Sequence, residues 1–140
     1  MRHHVIVRIC TRILVPFILL FALYVQFHGD FGPGGGFQAG VIFGAGCILY
    51  GLVYGVDALI GVAPLAVVRA IAAGGVLLFA LVGVAGLLAG GNYLDYSVLG
   101  ATPVAGQHLG IMLIELGVGM TVAAVVITLY YSFTNRRPTP

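Results

Sequence analysis

Four long apolar runs constrain this chain more than any other feature of its sequence. They cover about residues 9–27, 37–61, 64–90 and 108–133. A helix needs roughly 20 apolar residues to cross the hydrocarbon of a bilayer, and each run is about that long. Only 7% of the residues are charged, whereas soluble domains carry about 25%. The sequence therefore predicts an all-α membrane protein, with a single domain of four transmembrane helices over residues 1–140.

The first run also has the features of a secretory signal peptide, because Arg8 and Arg12 precede its apolar core. No small-x-small cleavage site comes before His28, which favours an uncleaved span. Pro16 is expected in the first turns of this helix, where a missing N–H costs least.

The arginines predict the orientation. With four alternating spans, all six fall on one side of the membrane, and the positive-inside rule assigns that side to the cytoplasm. They are Arg2, Arg8, Arg12, Arg69, Arg136 and Arg137. Both termini are then cytoplasmic, and the loops 28–36 and 91–107 face outward. Because these arginines form no basic face, nucleic-acid binding is not supported.

The stretch 28–40 is the one place where polar residues, glycine and proline occur together. Three consecutive glycines after Pro33 permit positive φ and close approach of another backbone. The pattern Gly34-x-Gly36-x-x-Ala39 formally fits a dinucleotide fingerprint, but a membrane span precedes it in place of the required strand. The chain has no lysine for a Walker-type loop. We interpret the stretch as a docking or lining element.

Small residues recur at helical spacing on the last three runs, which predicts close helix packing. We interpret these stripes as more than a four-helix bundle needs for itself, and hence as surfaces for other subunits. They comprise Gly36, Gly40, Gly44, Cys47, Gly51 and Gly55, then Phe79, Gly83, Gly86 and Gly90, then Gly117, Thr121, Ala124 and Thr128.

Glu115 is the most informative acid, since it lies about seven residues, or roughly 10 Å, inside the fourth run. Two interpretations stay open: it handles protons or cations, or it is hydrogen-bonded to another helix for assembly. His108, seven positions earlier, is expected on nearly the same face. Asp57 is interpreted mainly as an interfacial acid near Arg69, and as a weaker ion-handling candidate. No metal-ligand cluster or nucleophile–base pair is visible, so we expect no enzyme, metal site or cofactor.

Two motifs resemble the MnhB/MrpB family, the B subunits of multisubunit Na+/H+ antiporters of the Mrp type. The first is the loop motif, which contains His28, Asp30, Pro33, Gly34, Gly35, Gly36, Phe37, Gln38 and Gly40. The second is the Glu-Leu-Gly-Val pattern in the fourth run, with Gly110 before it and Glu115 as its first residue. Two positions depart from the family: many members carry histidine where Asp30 stands and glycine where Ala39 stands.

This resemblance implies a small subunit of a complex in the bacterial cell membrane that exchanges Na+ for H+. It implies partner subunits of the A, C, D, E, F and G types. The subunit would be needed for assembly, and Glu115 would be placed to line an ion route. The histidine found in other members argues against a fixed protonation step at Asp30. Two alternatives stay open: a related subunit of a membrane-bound hydrogenase-type complex, and a homodimeric four-helix transporter of the small multidrug-resistance kind.

Overall fold

The computed structural model describes residues 5–134 and is helical almost throughout. The helices are α1 (Val5–His28), α2 (Gly36–Tyr54), α3 (Val56–Val62), α4 (Leu65–Leu88) and α5 (Pro103–Thr134), with a short 3-10 turn at Tyr96–Val98. Four of them, α1, α2, α4 and α5, are long and apolar enough to cross a membrane. The prediction of an all-α membrane protein with four spans is confirmed.

The longest helix, α5, lies between α2 and α4, and α1 packs mainly against α2. A small apolar core lies at the end of the bundle where α3 joins α4. It consists of Leu59, Val68, Ala124, Ile127 and Tyr131. The hydroxyl of Tyr131 donates a hydrogen bond of 2.8 Å to the carbonyl of Ala63, which fixes the connection between α3 and α4 against α5.

The second apolar run is not one helix, so the predicted span 37–61 was wrong. It breaks at Gly55, whose φ is 103°. A residue with a side chain rarely adopts this left-handed conformation, whereas glycine adopts it readily. The result is a 19-residue α2 followed by the seven-residue α3. At 19 residues, about 28 Å, α2 still nearly matches the roughly 30 Å hydrocarbon core.

The first span begins earlier than predicted, because the described part of α1 already starts at Val5. Pro16 therefore lies in the helix interior, and the prediction that it occupies the first turns was wrong. Since proline has no N–H, the carbonyl of Arg12, four residues earlier, loses its helical donor.

The fourth span also starts before its predicted first residue, 108. The hydroxyl of Thr102 accepts a hydrogen bond of 3.2 Å from the Ala105 amide, and Pro103 occupies the first helical position. Both features are typical of a helix N-terminus. The third span, in contrast, is slightly shorter than predicted, at Leu65–Leu88.

Most glycines of the small-residue stripes pack inside the chain. A Cβ built on Gly40 would lie 2.7 Å from the Gly119 carbonyl of α5, and one on Gly44 would lie 2.8 Å from Val126. Likewise, a Cβ on Gly117 would lie 2.8 Å from the Gly75 carbonyl of α4. At these three glycines the stripes bring α2 and α4 close to α5, so their interpretation as surfaces for other subunits was wrong there. Gly83 and Gly86 pack instead on the loop that follows α4, and a Cβ on Gly55 or Gly90 would meet no atom of the described residues within 4 Å.

Candidate functional site

The glycine loop turns back onto the end of α1. The Phe31 amide donates to the His28 carbonyl at 3.0 Å, and the Gly35 amide donates to the Val25 carbonyl at 3.2 Å. Gly35 then caps α2 with a φ of 127°. A Cβ on Gly34 would lie 2.8 Å from the same Val25 carbonyl. The loop is thus a compact turn whose conformation depends on its glycines.

This turn packs directly against Glu115 of α5. A Cβ on Gly36 would overlap the backbone carbonyl oxygen of Glu115. A Cβ on Gly29 would lie 2.7 Å from one carboxylate oxygen, Oε2, and a Cβ on Gly35 would lie 3.2 Å from the other, Oε1. The two motifs of the sequence, 75 or more residues apart, therefore form one site.

His108 and Asp30 lie beside this contact. The Nδ1 atom of His108 is in close contact with a carboxylate oxygen of Asp30. The imidazole is 57% exposed and the Asp30 side chain 24% exposed. This pair joins α5 to the glycine loop at the exposed surface of the protein.

An open cleft of about 470 Å3 connects the two carboxylates. Its lining residues are Gln26, Phe27, Asp30, Phe31, His108, Leu109, Met112 and Glu115. Glu115 is half-buried, and no donor within residues 5–134 hydrogen-bonds its side chain. Two carboxylates that share a partly desolvated cleft repel each other, and His108, the polar partner beside them, pairs only with Asp30 in the described part of the chain. The cleft is therefore suited to take up a proton or a small cation.

The site lies near the end of the bundle. Glu115 is level with Gly36, the first residue of α2. It is twelve residues, about 18 Å, from the start of α5. The expected depth of about 10 Å below the end of the helix was thus wrong, because α5 begins earlier and extends past α2. The cleft opens at the loop side of the span.

Asp57 is not part of this site. It is exposed in the first turn of α3, at the opposite end of the bundle. Within the described residues no ion pair joins it to Arg69, so the expected pairing is not observed. The structure brings Glu115, His108 and Asp30 together and leaves Asp57 apart.

The remaining motif residues surround the turn. Pro33, Phe37 and Gln38 are exposed, whereas Gly40 is buried against α5. His28 stacks on Tyr24, with ring centroids 5.1 Å apart. The histidine thus extends the aromatic face of α1, and no ion pair joins it to Asp30 among the described residues.

Gln26 is a site residue that the sequence reasoning missed. It is only 8% exposed, it lines the cleft, and a Cβ on Gly119 would overlap its side-chain oxygen. The sequence contains a signal for this residue, because Gln26 is an amide inside an apolar run. Polar residues in membrane spans usually face protein.

Asp95 has a structural role in the loop between α4 and α5. Its carboxylate accepts hydrogen bonds from the Ser97 hydroxyl and, at 3.1 Å, from the Ser97 amide. These bonds favour the charged form and lower the pKa of Asp95 below its usual range. The acid caps the 3-10 turn that begins at Tyr96.

Comparison with known proteins gives one consistent family. Residues 6–128 match the model of a domain related to the MnhB subunit of Na+/H+ antiporter. The chain is also 32% identical over 136 residues to proteins named "Putative antiporter subunit mnhB2" from Staphylococcus aureus strains Newman, JH1 and COL. The alignment covers 95% of this chain and 96% of each relative.

Proposed function

The chain belongs to the family of domains related to the MnhB subunit of Na+/H+ antiporters, and we propose that its Glu115 cleft forms part of an ion route. It is a small subunit of a multisubunit Na+/H+ antiporter and a multi-pass protein of the bacterial cell membrane. We further propose that its partners in that complex are subunits of the A, C, D, E, F and G types. We also propose that the complex exchanges Na+ for H+.

The location of the cleft in the membrane is also proposed. The arginines Arg8, Arg12 and Arg69 lie at the end of the bundle opposite the cleft. By the positive-inside rule this end faces the cytoplasm, and the cleft opens to the outside. Arg2, Arg136 and Arg137 lie outside the described residues.

One observation carries the proposal: the Glu115 carboxylate faces an open cleft that contains a second carboxylate, and it has no hydrogen-bond donor within residues 5–134. A glutamate that ties two helices of this chain together would accept such a bond. The close packing of Gly29 and Gly35 holds the side chain in place. These features support ion handling over a purely structural role inside the chain.

The test is a set of substitutions at Glu115 in the assembled complex. Glu115→Gln keeps the size and hydrogen-bonding ability of the side chain but removes its titration, so the complex should assemble yet exchange poorly. Glu115→Asp retains charge with a carboxylate withdrawn by one methylene, and should keep part of the exchange. The measurement is Na+/H+ exchange in inverted vesicles across pH, normalised to the amount of intact complex.

Two controls make the outcome specific. Asp57→Asn is the same carboxylate-to-amide change at the opposite end of the bundle, and it should leave exchange unchanged. Glu115→Ala distinguishes ion handling from assembly. If Glu115 is an assembly residue, Glu115→Ala should lower the yield of intact complex, whereas Glu115→Gln should preserve it. Wild-type exchange with an unshifted pH profile in the Gln variant would remove Glu115 from the ion route.

A further inference from the structure

A second groove lies at the end of the bundle opposite the glycine loop. It has a volume of about 260 Å3 and lies between α1 and α2. Its lining residues are Arg8, Arg12, Val15, Pro16, Tyr50 and Tyr54. No acidic side chain of the described residues lines it, so two guanidinium groups give the groove a net positive charge. None of these residues lines the Glu115 cleft.

The arginine end of the groove is held by α2. The Tyr54 hydroxyl donates a hydrogen bond of 2.7 Å to the carbonyl of Arg8. The guanidinium of Arg8 lies over the Tyr54 ring, 5.0 Å from its centroid, and Tyr50 stacks on Tyr54 with centroids 4.8 Å apart. Arg12, four residues after Arg8, lies one turn further along the same face of α1.

The groove changes character along α1. Arg8 and Arg12 occupy its outer part, while Val15 and Pro16 line the part nearer the middle of the helix. Pro16 has no N–H, so the Arg12 carbonyl lacks the usual donor four residues later in the helix. Tyrosines at the boundary of a membrane are typical of the headgroup level. A ligand that fits has an anionic head and an apolar tail.

We propose that this groove binds one anionic phospholipid, with its phosphate on Arg8 and Arg12 and an acyl chain along Val15 and Pro16. Guanidinium groups bind phosphate oxygens through paired hydrogen bonds. Basic pockets between transmembrane helices are a known form of anionic lipid site. The groove is polar at its arginine end and apolar at its Val15 end. This change favours a lipid over an acidic segment of another subunit, because an acidic segment would not match the apolar end.

The experiment uses vesicles that contain the intact complex and a photoactivatable phosphatidylglycerol, with a photoactivatable phosphatidylcholine as the neutral probe. Cross-links are mapped by mass spectrometry. Phosphatidylglycerol should label the segment around Val15 and the segment around Tyr50, and phosphatidylcholine should label both weakly. One basic residue near a membrane surface changes binding by about fivefold. The double change Arg8→Gln/Arg12→Gln should therefore weaken labelling by roughly 25-fold.

Arg69→Gln is the matched control, because Arg69 is exposed at the same end of the bundle but does not line the groove. This variant should be labelled like the wild type. Should the double variant fail to assemble, competition on the wild type decides: unlabelled phosphatidylglycerol should abolish the cross-links, whereas phosphatidylcholine and inorganic phosphate should not.

Several results would overturn the proposal. Equal labelling of the wild type and the double variant would show that the arginines do not bind the lipid. Equal labelling by both lipids, or competition by inorganic phosphate alone, would show that no anionic phospholipid is selected. Cross-links from these segments to an acidic part of another subunit, in place of lipid, would identify the groove as a protein interface.

Discussion

The contact between Gly36 and Glu115 can be tested by adding a single methyl group. In Gly36→Ala the new Cβ would overlap the Glu115 carbonyl oxygen and would lie 2.8 Å from the carbonyl carbon and 3.0 Å from the Cα atom. All three are backbone atoms of α5, so no side-chain rotation relieves the overlap. The first turn of α2 must move away from α5, and the cleft beside it must change shape.

The expected cost follows from this geometry. Overpacking of a tight contact costs about 1–3 kcal/mol, and the upper part of that range applies because the obstacle is backbone. The higher helix propensity of alanine returns at most about 1 kcal/mol. We therefore expect Gly36→Ala to lower the free energy of unfolding by about 2 kcal/mol.

Gly74→Ala in α4 is the matched control. Its Cβ would meet only the end of Met120, at an ordinary 3.8 Å, so the substitution should be neutral or stabilising. The assay is SDS-induced unfolding in mixed micelles, together with the yield of intact complex and its Na+/H+ exchange. If Gly36→Ala is as stable as Gly74→Ala and assembles and exchanges normally, close packing of the loop on α5 is not required.

Two further predictions concern single hydrogen-bonded groups. Tyr131→Phe removes the bond to the Ala63 carbonyl and should cost about 1 kcal/mol in the same unfolding assay. Tyr130→Phe is the adjacent tyrosine control, and equal losses in both variants would contradict the assignment. The hydrogen bonds from Ser97 lower the pKa of Asp95. The charged carboxylate therefore stabilises the loop fully above the ordinary aspartate pKa of about 3.9. This stabilisation is lost as the pH falls through the lower pKa of the folded state. Deuterium exchange of residues 92–99 should therefore increase in acid relative to Asp95→Asn, whose loop lacks this pH dependence; identical profiles would contradict the cap.

The sequence predicted the number and type of spans well, because length and hydropathy alone decide whether a helix can cross a bilayer. It did not predict the break at Gly55, since an apolar run with many glycines contains no signal for the one that takes a left-handed φ. The start of α5 was predictable in principle. Thr102 and Pro103 form a standard N-terminal pair, but their polar surroundings made them look like loop.

The candidate site was predicted in its parts but not in its assembly. Glu115 and the glycine loop were each identified from the residues, whereas their direct contact depends on how α2 packs on α5. Spacing along one helix placed His108 near Glu115, yet no pattern in a single sequence relates His108 to Asp30, 78 residues away. The same limit explains the glycine stripes, because a small-residue face does not reveal whether its partner is in the same chain.

The central claim is that Glu115 and Asp30 act through one shared cleft in the antiporter. A double-mutant cycle of Asp30→Asn, Glu115→Gln and the combined variant tests it most directly, with Na+/H+ exchange normalised to intact complex. Groups that act as a unit are strongly non-additive. We therefore expect each single change to lower exchange and the combined variant to be no worse than the more damaging single one. Losses that multiply, as for independent sites, or wild-type exchange in Glu115→Gln would contradict the claim.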